Sequence, residues 1–354
     1  MFATLPDALR LIVVPVFVWA AVRDVHTRRL PNRIWPPLYA LGLLLLVVEA
    51  VRFAPFAGFE ARLFLIQTAI SLLFVAPLGY AFWYLGAFGG ADAKALIAIA
   101  VVFPTFPSYT VAGLTLPHVE TAIGVFSLTV LTNTVLIGLA YPIGLAGYNL
   151  ATGERSTTMF LARPVETTSI TNRHGRLFEN TEGTTRSGLD LDALRMYLRW
   201  RGATLAGLRA NPDAFRDPNS VTETHDPTDG GTHVGPPTDS DPTLVDSGVD
   251  AAASDSNDDR SAGDRDATGA GAIGDSRRTF DDPWAAERFL STIDHSAYGT
   301  DAETLREGLE VVAHRDTVRV SPGMPFVVPM AAGLLVSLTY GDVLFAVLGA
   351  VGLA

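Results

Sequence analysis

Two aspartates stand where apolar segments of this chain begin and end. Asp92 closes the glycine-rich stretch Gly86-Ala87-Phe88-Gly89-Gly90-Ala91-Asp92-Ala93-Lys94, and an apolar run starts directly after it, from Ala95 to Val102. Asp24 follows the first apolar run, which extends from Leu9 to Val22. An ionisable group at the mouth of a membrane helix is costly and reads by default as functional. Two carboxylates that share a proton can hydrolyse a peptide bond without a metal or a nucleophilic side chain. One takes a proton from water; the other, protonated, supports the carbonyl. The helix dipole disfavours an anion at a C-terminus, the expected place of Asp24, and favours one at an N-terminus, the expected place of Asp92. Asp92 is therefore expected as the base and Asp24 as the acid of the resting pair. A close pair nevertheless titrates as a unit.

The residues around the pair suggest how a substrate is held. Gly86, Gly89 and Gly90 let the backbone turn tightly and come near a ligand. An extended strand is expected to hydrogen-bond to the backbone at Gly89 and Gly90. Lys94 and the arginines at 28, 29 and 33 can attract lipid headgroups or charges flanking the scissile bond. Each feature also has a plainer reading. An interfacial aspartate is often a helix cap, and the arginines suit topology anchors. Pro31-Asn32 reads as a turn and a helix start. Lys94 suits a headgroup anchor. His26 and the other histidines show no metal-ligand spacing. With no cysteine, the chain has no disulfide, thiolate metal site or cysteine nucleophile. No metal or organic cofactor is expected.

The elements that must position these residues follow from how charge and hydropathy separate. The chain of 354 residues is 48% hydrophobic yet carries a net charge of -11. Residues 151–320 hold 30 acidic residues against 18 arginines, a net of -12, and the remainder is close to neutral at +1. A nearly uncharged membrane part thus encloses one acidic insert. Such acidity gives no footing for nucleic acid, and none is expected as a partner. Lys94 is the sole lysine among 26 basic residues. Acid-rich, lysine-poor composition suits a protein kept soluble in high salt, where screening weakens self-repulsion.

Six apolar spans lie near the roughly 20 residues a bilayer requires: about 3–22, 34–51, 62–84, 93–113, 119–147 and 325–352. Pro104 and Pro107 interrupt the fourth, and Gly341-Asp342 the last. The first lacks a basic leader and a small-residue cleavage site, so it reads as a retained helix. The loop from Arg23 to Arg33 carries four arginines, which places it in the cytoplasm. Counting onward puts both chain ends outside, and the Gly86–Asp92 turn and the insert inside. Asp24 and Asp92 then share the cytoplasmic face. Asp342 lies about 17 residues into span six, roughly 25 Å along a helix, too far to join them. It is expected to cap or break that helix.

The expected fold is an all-α polytopic membrane protein with a largely disordered acidic cytoplasmic insert between helices five and six. Its parts are a membrane catalytic core at 1–150, the insert at 151–320 and the sixth helix at 321–354. Within the insert, 151–210 is expected to be partly ordered, and 189–200 has apolar residues at helical spacing with acids first and arginines last. Residues 281–318 return to an amphipathic pattern. Residues 211–278 are rich in Asp, Ser, Thr, Gly and Pro and are expected to be disordered.

Asp24 followed by Arg29-Leu30-Pro31-Asn32, and then Gly89-Gly90-Ala91-Asp92-Ala93-Lys94, resembles the type IV prepilin peptidases, the GxGD class of intramembrane aspartyl proteases. Pro322-Gly323-Met324-Pro325-Phe326-Val327-Val328-Pro329 and Tyr340-Gly341-Asp342 look like its archaeal preflagellin/prepilin branch. The resemblance covers roughly 8–150 and 319–345. It implies a six-helix membrane fold that lies in the lipid bilayer of the cell membrane. It also implies an aspartic-type endopeptidase that cleaves the leader of pilin-like and archaellin-like precursors at the cytoplasmic face. Its two catalytic aspartates map onto Asp24 and Asp92. Ala91 departs from the motif, which has glycine before the aspartate. Arg23 before Asp24, and the lack of a Pro-Ala-Leu motif, separate the chain from the presenilin-like relatives. The alternative reading is a non-catalytic polytopic scaffold of a surface-filament assembly. A scaffold tolerates Asp→Asn at either position; a proteolytic pair does not.

Overall fold

The structure, a computed structural model, describes residues 3–85, 88–232, 280–293, 297–323 and 325–352. The chain forms two compact units, one of Met1–Arg163 with Pro322–Ala354 and one of Pro164–Ser321.

The first unit is built from apolar helices. Thr4 caps α1 (Leu5–Arg10), which runs on into α2 (Val13–Thr27). A single helical turn at Asn32–Ile34 leads into α3 (Trp35–Phe53). Next, α4 (Phe59–Ile70) and α5 (Ala76–Tyr84) join through a wider π-type turn, Ser71–Val75. The Ser71 hydroxyl lies 2.6 Å from the Ala100 carbonyl, to which it donates, and 2.7 Å from the Ser127 hydroxyl. Then come α6 (Gly90–Val102), the hairpin β1 (Tyr109–Val111) and β2 (Leu114–Leu116), α7 (Phe126–Gly138) and α8 (Ala140–Ala151).

The centre of this unit is α6, whose Ala95, Leu96, Ala98, Ile99, Ala100 and Val102 have no exposed surface. It packs against α3 and α5. Lipid is as apolar as a leucine, so close backbone approach at small residues drives such packing. A Cβ on Gly42 would lie 2.8 Å from Val101 Cγ1, and one on Gly333 would lie 2.8 Å from the Thr134 backbone nitrogen.

Among the described residues, four helical stretches are long and apolar enough to cross a membrane: Leu5–Thr27, Asn32–Phe53, Phe59–Tyr84 and Phe126–Ala151. They correspond to four of the six expected spans, and the other two differ. The fourth ends at Val102, and its remainder is the hairpin; α6 has 13 residues, about 20 Å. That is short of the roughly 30 Å hydrocarbon layer. Phe103-Pro104 stops it, and neighbours rather than lipid surround it. The sixth divides into α14 (Val327–Thr339) and α15 (Val343–Ala350). Asp342 is the N-cap of α15, accepting from the Phe345 N–H and the Thr129 hydroxyl, both at 2.8 Å.

The second unit corrects the expectation of a largely disordered, all-α insert. It holds a three-stranded sheet in the order β3 (Arg163–Glu166), β5 (Thr317–Ser321), β4 (Arg176–Leu177). Its helices are α9 (Leu191–Trp200), α10 (Leu205–Ala210), α11 (Pro212–Arg216), α12 (Ala286–Ser291) and α13 (Ala302–His314). The apolar stripes of α9 and α13 meet Trp284 and Phe289 in one core. Disorder was expected from 211, yet 211–232 is ordered. Polar contacts fix it: Arg195 Nε donates to the Gly230 carbonyl at 2.6 Å, and the His225 N–H donates to the Trp200 carbonyl at 2.8 Å. Composition registers the lack of large apolar residues but not carbonyls captured by buried arginines. The rest of the expected disorder, 233–278, lies outside the described residues.

Candidate active site

Asp24 occupies the last turn of α2 and is buried, at 7% exposure. The helix ends at Arg28, whose φ of 55° is left-handed and whose N–H donates to the Asp24 carbonyl at 3.0 Å. Asp92 occupies the first turn of α6. There its carboxylate accepts the Gly89 N–H at 3.0 Å. The Val327 N–H, at the start of α14, is also directed at it. Asp92 thus sits at the N-termini of two helices, where unpaired N–H groups and both dipoles favour an anion.

The bundle brings the two aspartates together. Arg10, at the start of the α1–α2 rod, donates from Nε to the carbonyl of Val102, the last residue of α6, at 2.9 Å. Asp24 lies toward the other end of that rod and Asp92 toward the other end of α6. The elements are therefore antiparallel, and Asp24 and Asp92 come within electrostatic reach of each other, with the Arg28 guanidinium in reach of both. Arg10 itself is 1% exposed and is neutralised by Asp7 and Glu49, each at 2.7 Å.

Gly89 and Gly90 are exposed. Neither has a positive φ, so tight turning is not what requires glycine here. Close approach explains Gly89: a Cβ there would lie 3.0 Å from Asp92 Oδ2. At Gly90 a Cβ would lie 3.8 Å from Trp83 Nε1. Gly86 lies outside the described residues. Ala91 falls inside α6 and outside the positive-φ residues, where alanine suits a helix better than glycine does. The departure from GxGD thus demands no unusual backbone.

Lys94 Nζ donates to Asn32 Oδ1 at 2.6 Å, and Tyr39 donates its hydroxyl to the Lys94 carbonyl at 3.1 Å. Lys94 therefore links the Pro31-Asn32 turn to the Gly89–Asp92 turn. The C-terminal segment adds contacts that sequence reasoning missed. The Arg28 guanidinium donates to the carbonyls of Gly323, at 2.9 Å, and Pro322, at 3.4 Å. The Phe326 ring packs on Phe88, centroids 4.6 Å apart, and Phe88 on Phe82 at 4.9 Å. The proline-rich motif at 322–329 was the available signal, but no sequence spacing ties it to residues 28 and 92. The site thus holds two carboxylates within electrostatic reach of each other and of Arg28, one buried and one at paired helix N-termini.

Residues 11–143 match the Type IV leader peptidase family. Over 126 residues the chain is 32% identical to prepilin peptidase EppA of Methanothermobacter thermautotrophicus, covering 35% of this chain and 31% of that protein. Over 136 residues it is 27% identical to the preflagellin peptidase of Methanococcus voltae, covering 38% of this chain and 54% of that protein. The chain thus spans about a third of one curated relative's length and about half of the other's. No solved structure matches. The likeness to archaeal preflagellin and prepilin peptidases carried by the Asp24 and Asp92 motifs is therefore found in whole-segment comparison too, and both motifs fall inside the matched residues.

Proposed function

We propose that this chain is a membrane aspartyl endopeptidase that removes the leader peptide from type IV pilin-like or archaellin-like precursors, with Asp24 and Asp92 as its catalytic pair. The observation that carries this reading is the approach of the two carboxylates at the ends of antiparallel helices, with Arg28 within electrostatic reach of both. The family match and the names of the two relatives support the substrate class.

In the proposed reaction the pair holds one proton. The ionised carboxylate takes a proton from a water molecule as its oxygen adds to the scissile carbonyl carbon. The protonated carboxyl gives its proton to the carbonyl oxygen. The tetrahedral adduct then collapses, the C–N bond breaks, and the proton first taken from water leaves with the amine. The Gly89 N–H and carbonyl are engaged by Asp92 and the Ala93 N–H, so it is the exposed backbone at Gly90, in the first turn of α6, that offers a hydrogen bond to an extended substrate. Lys94, held by Asn32, fixes the turn that presents it. The four arginines between positions 23 and 33 favour a cytoplasmic site in a cell membrane. In this reading α6 and α14 are the fourth and sixth membrane segments, shortened because protein rather than lipid surrounds them, and 151–320 is a cytoplasmic insert.

Cleavage of a pilin-like precursor in high-salt membranes tests the reading. Wild type should cut, and Asp24→Asn and Asp92→Asn should each lose at least about 1,000-fold while remaining folded. Retained cutting by the variants would put the catalytic pair elsewhere or the activity in another protein, and no cutting by wild type would favour the scaffold alternative.

A further inference from the structure

By sequence alone Arg28 suits a topology anchor, but its geometry is that of a brace. A topology anchor extends toward water or headgroups. This guanidinium instead reaches the opposite end of the chain, donating to the carbonyls of Pro322 and Gly323. Its Nε is buried. The backbone is also committed, with a φ of 55° that few non-glycine residues adopt. That conformation ends α2 one turn after Asp24, and the side chain reaches 322–323. Four residues beyond Gly323, the Val327 N–H meets Asp92, and Phe326 packs on Phe88.

We propose that Arg28 is a positioning residue: it clamps Pro322-Gly323 so that the start of α14 is held against Asp92, while its charge stays beside both aspartates. The catalytic consequence rests on the peptidase reading; the clamp itself does not. A guanidinium suits this place because its fork donates to two carbonyls at once and keeps its charge. Glycine and lysine separate the possibilities. Arg28→Gly removes the side chain and suits the left-handed backbone. Arg28→Lys keeps the charge and one donor group.

The test uses the full chain in membranes and has two readouts. For precursor cleavage, Arg28→Gly should lower kcat about 100-fold, the scale expected from misplacing reacting groups by about 1 Å, with KM within about threefold. Arg28→Lys should recover about tenfold of that loss, and the thermal midpoint of Arg28→Gly should not fall. For amide exchange, a peptide spanning Val327 should exchange at least about tenfold faster in Arg28→Gly than in wild type, since the N–H loses its held acceptor. Wild-type kcat in Arg28→Gly, or a lysine variant no better than glycine, would overturn the positioning role. Unchanged Val327 exchange would overturn the clamp. If wild type cuts nothing, or the Asp→Asn variants cut, the peptidase reading has failed, and the exchange measurement alone still decides whether the clamp stands.

Discussion

The two units of this chain solve the burial problem in opposite directions. In the first, large apolar side chains such as Leu44, Val47, Leu73 and Phe74 face outward, while Ala95, Ala98, Ala100 and Ser71 share the interior with Phe17, Trp35 and Phe126. In the second, Trp200, Trp284, Phe289 and Leu309 are buried, and the carboxylates of Glu287 and Asp316 face water. Where the surroundings are lipid, outward apolar surface costs nothing, and cohesion comes from close backbone contact and interior hydrogen bonds. Where they are water, burial of large apolar area drives folding. The aspartate pair belongs to the first kind of environment. There, an ionisable side chain persists only with partners, and Asp24 and Asp92 find them in Arg28 and backbone N–H groups.

The comparison breaks most sharply at close-approach glycines. A Cβ on Gly333 would sit 2.6 Å from Thr134 Oγ1 and 2.8 Å from the Thr134 backbone nitrogen. In the second unit a Cβ on Gly308 would sit 2.3 Å from Leu189 Cβ. Gly333→Val and Gly308→Val should each cost about 3 kcal/mol or more, since neither neighbour can withdraw by rotating a side chain. If the units are separate cooperative bodies, each substitution lowers one thermal transition and leaves the other in place. A single transition that moves with both would show one cooperative body instead.

A smaller loss separates the ordered and undescribed parts of the insert. Removing 215–275 takes away Val221 and the Gly230 carbonyl that Arg195 holds. It should destabilise the second unit by several kcal/mol, on the order of one buried apolar side chain and several hydrogen bonds. Replacing 236–276 with a flexible linker of about ten Gly/Ser residues should leave its transition within about 1 kcal/mol. Circular dichroism melts of the two variants give the answer. Equal destabilisation would mean that 236–276 also supports the fold.

How much of this was legible depends on what holds each part. Four membrane helices could be read because hydropathy over about 20 residues is a local signal. Asp342 as a cap could be read because Gly341 breaks the run before it. The shortness of α6 was half-visible in Pro104 and Pro107, but whether lipid or protein surrounds a helix is a tertiary fact. Asp24 and Asp92 could be singled out as costly charges at helix ends, whereas Arg28 could not be tied to Pro322 and Gly323. That contact joins residues nearly the whole chain apart, and an arginine beside a membrane helix has a sufficient local explanation. Order in 211–232 was hidden for a related reason: arginine-to-carbonyl bonds leave no mark in apolar periodicity.

Salt should separate the units by charge. Residues 151–320 carry a net of -12 and the rest a net of +1. The Debye length grows from about 3 Å at 1 M to about 10 Å at 0.1 M. Moving from molar to about 0.1 M salt should therefore lower the second unit's thermal midpoint by about 5 °C, near 1 kcal/mol, and leave the first unit's unchanged. Equal shifts would point to lipid or detergent effects rather than to the insert's self-repulsion.

The finest distinction concerns one buried carboxylate of the second unit. Asp190 caps α9 by accepting the Asp192 N–H at 2.9 Å and pairs with Arg176 at 3.2 Å. Burial nevertheless pushes its carboxyl up to about 6, above the ordinary value near 3.8. A folded value above the unfolded one means that the protonated form is favoured by folding. There is no penalty below about pH 4, and the cost grows as pH rises to about 6. Asp282 runs the other way. Burial raises it, but hydrogen bonds from Arg306 and from the Glu287 and Arg288 N–H groups outweigh that and hold it low, so its contribution is lost in acid. Asp190→Asn keeps a good capping oxygen and removes the charge. It should stabilise the second unit by about 1 kcal/mol near pH 7, after allowing for the lost Arg176 pairing, with the gain vanishing below about pH 4. A variant less stable than wild type near pH 7 would mean that the Arg176 pairing outweighs burial, and that this unit tolerates an ionised carboxylate in its interior on the same terms as the membrane unit.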